Sequence, residues 1–96
     1  QRQMCMRDSL TTNRSFPITK AQIVMGRALS SDIAIEDLNV SRTHAEIRRE
    51  NANAWSVADL GSTNGTLVNG HHIASTMLQE GDRITVGTTT FLFTFR

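Results

Sequence analysis

The sequence contains few cysteine, proline and aromatic residues and no long apolar run. The low cysteine content and the lack of a long apolar run each exclude a class of protein. Its 96 residues include one cysteine, one proline and one tryptophan. The single cysteine, Cys5, cannot close an intramolecular disulfide or build a cysteine-based zinc site, which favours a reducing compartment. No apolar run approaches the ~20 residues of a membrane span, and the first residues lack a signal-peptide pattern. We therefore expect a soluble, cytoplasmic domain that does not bind a membrane.

An excess of charge of one sign is also lacking. Ten basic and nine acidic residues give a formal net charge of +1. Duplex nucleic acid selects an extended cationic surface, which this balance does not provide. We expect no nucleic-acid partner, and any recognition of an anion must be local.

The length is sufficient for one domain with a single core. We expect that domain to cover residues 1–96, with its core in residues 20–96 and an N-terminal hairpin in residues 1–19. In the hairpin, residues 4–6 and 15–18 form the two strands, and Pro17 lies on an edge strand because it cannot donate to a sheet. The start at Gln1 predicts that the chain is a piece of a longer protein.

Apolar residues recur at every second position, which is the period of a strand with one buried face. The pairs are Ile23 and Met25, Ile33 and Ile35, Ala45 and Ile47, Trp55 and Val57, Ile84 and Val86, and Phe91 and Phe93. Turn-forming residues separate these runs, and helical spacing is nowhere sustained. The pattern predicts an all-β fold, a two-sheet antiparallel β-sandwich.

Three segments between the predicted strands carry the residues with chemistry. They are Gly26-Arg27, Ser41-Arg42-Thr43-His44 and Gly61-Ser62-Thr63-Asn64-Gly65-Thr66, followed by Asn69-Gly70. A sandwich gathers its loops at two ends, so one end can hold all three segments.

Taken together, these side chains are suited to binding an anion. The guanidinium of Arg27 can give two parallel hydrogen bonds to a phosphate, and Arg42 can add a second charge. The hydroxyl groups of Ser41 and Thr63 can donate to phosphate oxygens. The three segments together therefore predict a phosphate-binding site, and we expect it to need no metal or cofactor.

The remaining loop residues suit supporting roles. The backbone around Gly61 and Gly65 can supply further N–H donors. The Asn64 amide has both a donor and an acceptor, which suits it to bind an extended peptide main chain. One ring nitrogen of His44 can donate to a loop carbonyl and hold the Ser41 turn in shape.

The joint pattern of these segments, in this order and spacing, resembles the signature of forkhead-associated (FHA) domains. The resemblance runs from about Ile23 to Phe95. It implies a sandwich of about eleven strands that binds phosphothreonine-containing peptides in kinase signalling and has no catalytic activity. It also implies that the partner is a kinase or a kinase substrate, and that the domain is monomeric.

The resemblance further implies a role for each matched position. Arg27 and Ser41 hold the phosphate with help from Arg42 and Thr63, and Asn64 bonds the peptide backbone. The loop-structuring positions are Gly26, His44, Gly61, Gly65, Asn69 and Gly70. Preference for side chains beside the phosphothreonine is set by variable loop residues, here Asn39, Arg42 and residues 87–90.

Other interpretations of the same residues remain open. An FHA-like fold can act as an assembly module that binds an unphosphorylated partner, and Arg27 alone is most simply a solvated arginine. Ser41, His44 and Asp59 could form a catalytic triad, but no strained elbow surrounds the serine. His71 and His72 could bind a metal, but neighbours on a strand point to opposite faces. Thr11 and Thr12 could be phosphorylated and fold back onto the site.

Overall fold

The computed structural model describes residues 4–8 and 15–95, which form eleven β-strands. Within those ranges there is no helix, and so none that could cross a membrane. The strands are β1 (Met4–Asp8), β2 (Ser15–Pro17), β3 (Gln22–Gly26), β4 (Ile33–Ala34), β5 (Ala45–Asn51), β6 (Ala54–Asp59), β7 (Thr66–Val68), β8 (His71–Ile73), β9 (Ser75–Leu78), β10 (Arg83–Val86) and β11 (Thr89–Phe95).

The strands form two sheets, which confirms the predicted sandwich. One sheet has six strands in the order β2-β1-β11-β10-β7-β8, and the other has five in the order β4-β3-β5-β6-β9. Neighbouring strands are antiparallel except β3 and β4, which pair in parallel through Met25 with Ile33 and Gly26 with Ala34. The antiparallel prediction was wrong for this pair. Strand β4 has only two residues, so its direction left no signal in the sequence.

The core lies between the inner faces of the two sheets. The alternating pattern is reproduced in the structure: Ile84 and Val86 of β10 are fully buried, while Thr85 between them is partly exposed. Among the described residues, Phe91 and Phe93 of β11 are the largest fully buried side chains. Burying each such ring stabilises the fold by about 1.5–3 kcal/mol. The apolar alternation therefore identifies the buried face of β10 and β11.

The N-terminal hairpin is present at the edge of the six-stranded sheet. Strand β1 pairs with β11 over five residues, from Met4 with Phe95 to Asp8 with Phe91. Strand β2 lies outside β1, which places Pro17 on an edge strand as predicted. Met4, Cys5 and Met6 are all buried, and Cys5 is a free thiol.

Candidate functional site

Three loops meet at one end of the sandwich. They are loop β3–β4 (residues 27–32), loop β4–β5 (residues 35–44) and loop β6–β7 (residues 60–65). The backbone N–H of Arg27 donates to the carbonyl of Ser41 at 2.9 Å. The backbone N–H of Thr63 donates to Oγ of Ser41 at 3.0 Å. Ser41 therefore contacts both of the other loops.

The guanidinium of Arg27 is held by its inner nitrogen. Its Nε donates to the carbonyl of Val40 at 3.0 Å, and the side chain is exposed. This bond uses Nε, and within residues 4–8 and 15–95 no hydrogen bond involves either Nη atom of Arg27. Among the described residues, no carboxylate forms an ion pair with Arg27. The bidentate edge of the guanidinium can therefore bind an external anion.

The hydroxyl of Ser41 is positioned for donation. Because its oxygen accepts the N–H of Thr63, its proton can be directed outwards to a ligand. The backbone N–H of the same serine donates to Nδ1 of His44 at 3.0 Å. Ser41 is thus fixed through both its side chain and its main chain.

The buried side chain of His44 connects loop β4–β5 to loop β6–β7. The ring is fully buried, and its Nε2 lies 2.8 Å from the carbonyl oxygen of Gly65. Since Nδ1 accepts the N–H of Ser41, the ring proton belongs on Nε2, which donates to Gly65. Both ring nitrogens are therefore used in holding loops β4–β5 and β6–β7 together.

Two glycines allow the loops to approach closely. A Cβ at Gly26 would lie 2.1 Å from the carbonyl oxygen of Arg42, so no larger residue fits there without backbone movement. Gly65 has a φ of +84°, and a Cβ there would lie 2.8 Å from Nδ1 of His72. At Gly26 the absence of a side chain lets the end of β3 contact loop β4–β5, and at Gly65 it makes room for the ring of His72 on β8.

The carboxylate of Asp59 organises loop β6–β7, a role that the sequence analysis did not assign to it. It accepts hydrogen bonds from the backbone N–H groups of Gly61 and Ser62, and from the hydroxyl groups of Ser62 and Thr66. Partial burial raises the pKa of Asp59, but these hydrogen bonds, led by that of the Ser62 hydroxyl, outweigh burial and leave the pKa lowered. The charged carboxylate is therefore the form that stabilises the loop.

The predicted backbone donors of this loop serve a different purpose. The N–H of Gly61 donates to Asp59, and the N–H of Gly65 donates to Oγ of Ser62 at 2.9 Å. Internal acceptors therefore use the N–H groups of these two glycines, and donation to a ligand from the backbone around them stays a prediction. Gly61 has a φ of +76°, so its structural role is to shape the loop.

The site does not assemble a catalytic triad from Ser41, His44 and Asp59. The ring of His44 bonds the backbone of Ser41 and Gly65, and the carboxylate of Asp59 bonds its own loop. Neither His44 nitrogen is therefore placed to take a proton from the Ser41 hydroxyl.

Asn64 lies at the tip of loop β6–β7 and reaches loop β4–β5. Its Nδ2 donates to the carbonyl of Asn39 at 2.8 Å, and both residues are exposed. This contact holds the Asn64 amide against the main chain of loop β4–β5, two residues before Ser41 in the sequence.

The carboxylate of Asp37 joins loop β4–β5 to the turn between β10 and β11, a contact that the sequence analysis missed. We call this set of hydrogen bonds the Asp37 clasp. Its Oδ2 accepts hydrogen bonds from the backbone N–H and the hydroxyl of Thr88 at 2.8 and 2.7 Å, and its Oδ1 accepts the N–H of Asn39 at 2.8 Å. The Thr88 hydroxyl, the backbone N–H groups and the Thr89 hydroxyl lower the pKa of Asp37 to about 2. Loop β4–β5 is thereby tied to the turn between β10 and β11. An Asp two residues before an Asn is typical of a local turn, but it does not indicate a partner 51 residues away.

Asn69 and Gly70 lie away from these loops. They form the two-residue turn between β7 and β8, with φ values of +52° and +85°. The side chain of Asn69 accepts the N–H of Arg83 and donates to Asp82. Both residues structure a turn, as predicted, but it is the turn at the other end of β7 from Thr66.

The other candidate sites find no support in the geometry. Within residues 4–8 and 15–95, no three side chains of the metal-binding types come together, and His71 and His72 are both exposed on β8. Thr11 and Thr12 lie outside the residues that the structure describes.

Known proteins match the part of the chain that contains the three loops. The family model for the FHA domain matches residues 23–87. The glycogen accumulation regulator GarA of Mycobacterium tuberculosis is 44% identical over 72 residues, covering 75% of this chain and 44% of GarA. The chain thus spans less than half of this curated relative.

Solved structures agree over the whole fold. An FHA domain solved in a study of phosphothreonine-dependent interactions has a TM-score of 0.91 and 28% identity, covering 96% of this chain and 95% of that one. Mycobacterium tuberculosis EmbR, solved with a low-affinity phosphopeptide, has a TM-score of 0.90 and 30% identity, covering 96% of this chain and 24% of EmbR.

Proposed function

The chain belongs to the FHA domain family of phosphothreonine-binding modules, and we propose that its three converging loops bind a phosphothreonine-containing protein segment. One observation carries the proposal. The Ser41 hydroxyl accepts the N–H of Thr63 at 3.0 Å, and the backbone N–H of Arg27 donates to the carbonyl of Ser41. These contacts join the main chains of Arg27 and Thr63 to Ser41, which supports a shared site for the three residues.

In this proposal the phosphate is bound by charge and by directed donors. A phosphothreonine carries about −1.5 to −2 charges near neutral pH. The Nη edge of Arg27 forms two parallel hydrogen bonds to it, and the hydroxyl groups of Ser41 and Thr63 donate to its oxygens. Arg42, exposed at the start of the same turn, adds a second positive charge.

Asn64 is assigned to the peptide main chain. Its amide already bonds a main-chain carbonyl, that of Asn39, and it is exposed at the loop tip. A peptide strand laid across this position meets an amide oxygen that accepts N–H groups and an amide nitrogen that donates to carbonyls. Asn64 therefore reads the backbone of the ligand and fixes its direction.

The domain binds without catalysing a reaction. This assignment is supported by the engagement of both His44 nitrogens in backbone hydrogen bonds and of Asp59 in its own loop. A general base needs access to the proton that it removes, and neither group has it. The domain acts as one folded unit and a monomer, and its partner is a phosphorylated kinase or kinase substrate.

The competing function is an assembly module that binds an unmodified protein through the same fold. The guanidinium of Arg27 has no ion-pair partner among the described residues, which favours the phosphate ligand, because an unmodified partner would leave that charge without a counterion.

Peptide binding measured by calorimetry separates the two functions. The ligand is a phosphothreonine peptide selected from an oriented library. The controls are the same peptide with phosphoserine and the same peptide without the phosphate. We expect the phosphothreonine peptide to bind best and the phosphoserine peptide up to about tenfold more weakly, since one buried methyl group contributes about 1 kcal/mol. Equal affinity for the phosphorylated and unmodified peptides would support the assembly module instead.

A further inference from the structure

A cleft lies beside the proposed phosphate-binding residues, between loop β3–β4 and Arg42. Its volume is about 420 Å³, and its walls are Arg27, Ala28, Leu29, Ser30 and Arg42. The backbone N–H of Ala28 donates to the carbonyl of Arg42 at 3.2 Å, which fixes the two walls relative to each other. Because it shares two arginines with the phosphate site, the cleft is continuous with it.

The cleft carries positive charge without an internal counterion. In the described part of the chain, the ion pairs join Lys20 to Asp32 and Arg48 to Glu46, and none involves Arg27 or Arg42. Two guanidinium groups on one cleft raise the local potential, which stabilises a negatively charged ligand there.

The cleft also has an apolar wall. Leu29 is 91% exposed at the tip of loop β3–β4, and Ala28 beside it is partly exposed. An apolar wall next to a cationic one suits a side chain with a methylene stem and a charged end. Among acidic residues, glutamate has the longer stem and so covers more of Leu29 than aspartate does.

We propose that this cleft is a specificity pocket for an acidic side chain, glutamate in preference to aspartate, on a residue that flanks the phosphothreonine. The proposal rests on the proposed function. The cleft is lined by residues 27–30 of loop β3–β4 and by Arg42 of loop β4–β5, and Asn64, which bonds Asn39, is not among its lining residues. The acidic residue therefore belongs to the part of the peptide that runs away from Asn64. Arg42 determines the preference, while Arg27 is mainly engaged by the phosphate.

The test compares glutamate with glutamine at each of three positions on both sides of the phosphothreonine. Affinities are measured for the unchanged domain, for Arg42→Gln and for the matched control Arg83→Gln. Arg83 is also an exposed arginine, but it lies beside the Asn69-Gly70 turn at the other end of β7. Both variants lose the same charge, so only the local contact distinguishes them.

We expect a gain of about two- to fivefold for glutamate over glutamine, confined to one side of the phosphothreonine, because the pair is partly exposed to solvent. Arg42→Gln should remove that gain, and Arg83→Gln should keep it. Aspartate at the same position should gain less, and Leu29→Ser should reduce the difference between the two acids.

Two results would overturn the pocket while leaving the proposed function intact. One is a glutamate gain of equal size on both sides, which would show a diffuse attraction. The other is a one-sided gain that persists in Arg42→Gln. Failure of every phosphothreonine peptide to bind would instead count against the proposed function, so the two failures are distinguishable.

Discussion

Nε2 of His44 lies 2.8 Å from the carbonyl oxygen of Gly65, a residue 21 positions further along the chain. The other ring nitrogen accepts the N–H of Ser41, so a single fully buried ring holds two of the binding loops. The geometry of the proposed phosphate site therefore depends on a side chain that is buried beneath it.

Replacing this ring should weaken both the fold and the site. His44→Ala leaves the Ser41 N–H and the Gly65 carbonyl without their partner and opens a cavity, so we expect a loss of about 2–4 kcal/mol in the free energy of unfolding. Urea denaturation measures the loss, and titration with a phosphothreonine peptide measures the weaker binding. The control is His71→Ala, because His71 is exposed on β8. Equal stability of the two variants would contradict the bracing role.

Removing the guanidinium of Arg27 should affect binding far more than stability. The fold loses one hydrogen bond to Val40, worth about 1 kcal/mol, whereas the ligand loses its charged, bidentate contact. We expect Arg27→Ala to reduce phosphopeptide affinity by at least about tenfold with a small change in Tm. Arg83→Ala, with the same change of charge, should bind normally. A variant at position 27 that keeps its affinity would remove the anion-site assignment.

Replacing Gly26 or Gly70 by alanine should lower the free energy of unfolding by different amounts. A Cβ at Gly26 meets the carbonyl oxygen of Arg42 at 2.1 Å, so Gly26→Ala must displace the backbone, at a cost of about 2–3 kcal/mol. Gly70 has a φ of +85° with open space around it, so Gly70→Ala carries only backbone strain of about 1 kcal/mol. Denaturant unfolding of both variants checks the order. A larger loss at Gly70 would show that contact with Arg42 is not the constraint.

The Asp37 clasp should make stability sensitive to acid. Hydrogen bonds led by that of the Thr88 hydroxyl lower the pKa of Asp37 from 3.8 to about 2. Since the folded pKa lies below the unfolded one, the carboxylate stabilises the fold fully above the ordinary value and progressively less as the pH falls towards 2. Asp37→Asn should therefore be less stable than the unchanged domain at neutral pH, and the difference should narrow in acid.

Urea unfolding at about pH 7 and about pH 3 measures this narrowing. Glu36→Gln, an exposed neighbour, controls for the loss of one negative charge. The pKa values of Asp32 and Asp59 are also lowered, so some acid sensitivity should remain in Asp37→Asn. A stability difference that stays constant across this range would contradict the role of the charged clasp.

The fold could be predicted largely from local signals. Alternation places residues such as Ile84 and Val86 on the buried face because a strand turns successive side chains to opposite sides. Asn69-Gly70 marks its turn because both residues adopt positive φ. The parallel pairing of β3 with β4 could not be predicted, because two residues carry no period.

The site was predictable as a set of residues but not as a network. Arg27, Ser41 and Thr63 are identified by their joint spacing, and the structure brings them together. Which acceptor a loop N–H uses depends on the folded position of side chains such as Asp59, and this information is not local. The bond between Asp37 and Thr88 could not be predicted for the same reason, since it joins a loop of the five-stranded sheet to a turn of the six-stranded sheet.

The short outer strands restrict how this domain can meet another polypeptide. In the described residues, the strands at the four sheet edges are β2, β4, β8 and β9, and they have three, two, three and four residues. Recruitment of a foreign strand needs a continuous row of free main-chain groups, and Pro17 removes one donor from the edge at β2. Such short edges disfavour both strand addition by a ligand and edge-to-edge aggregation, which agrees with the proposed binding through the loops.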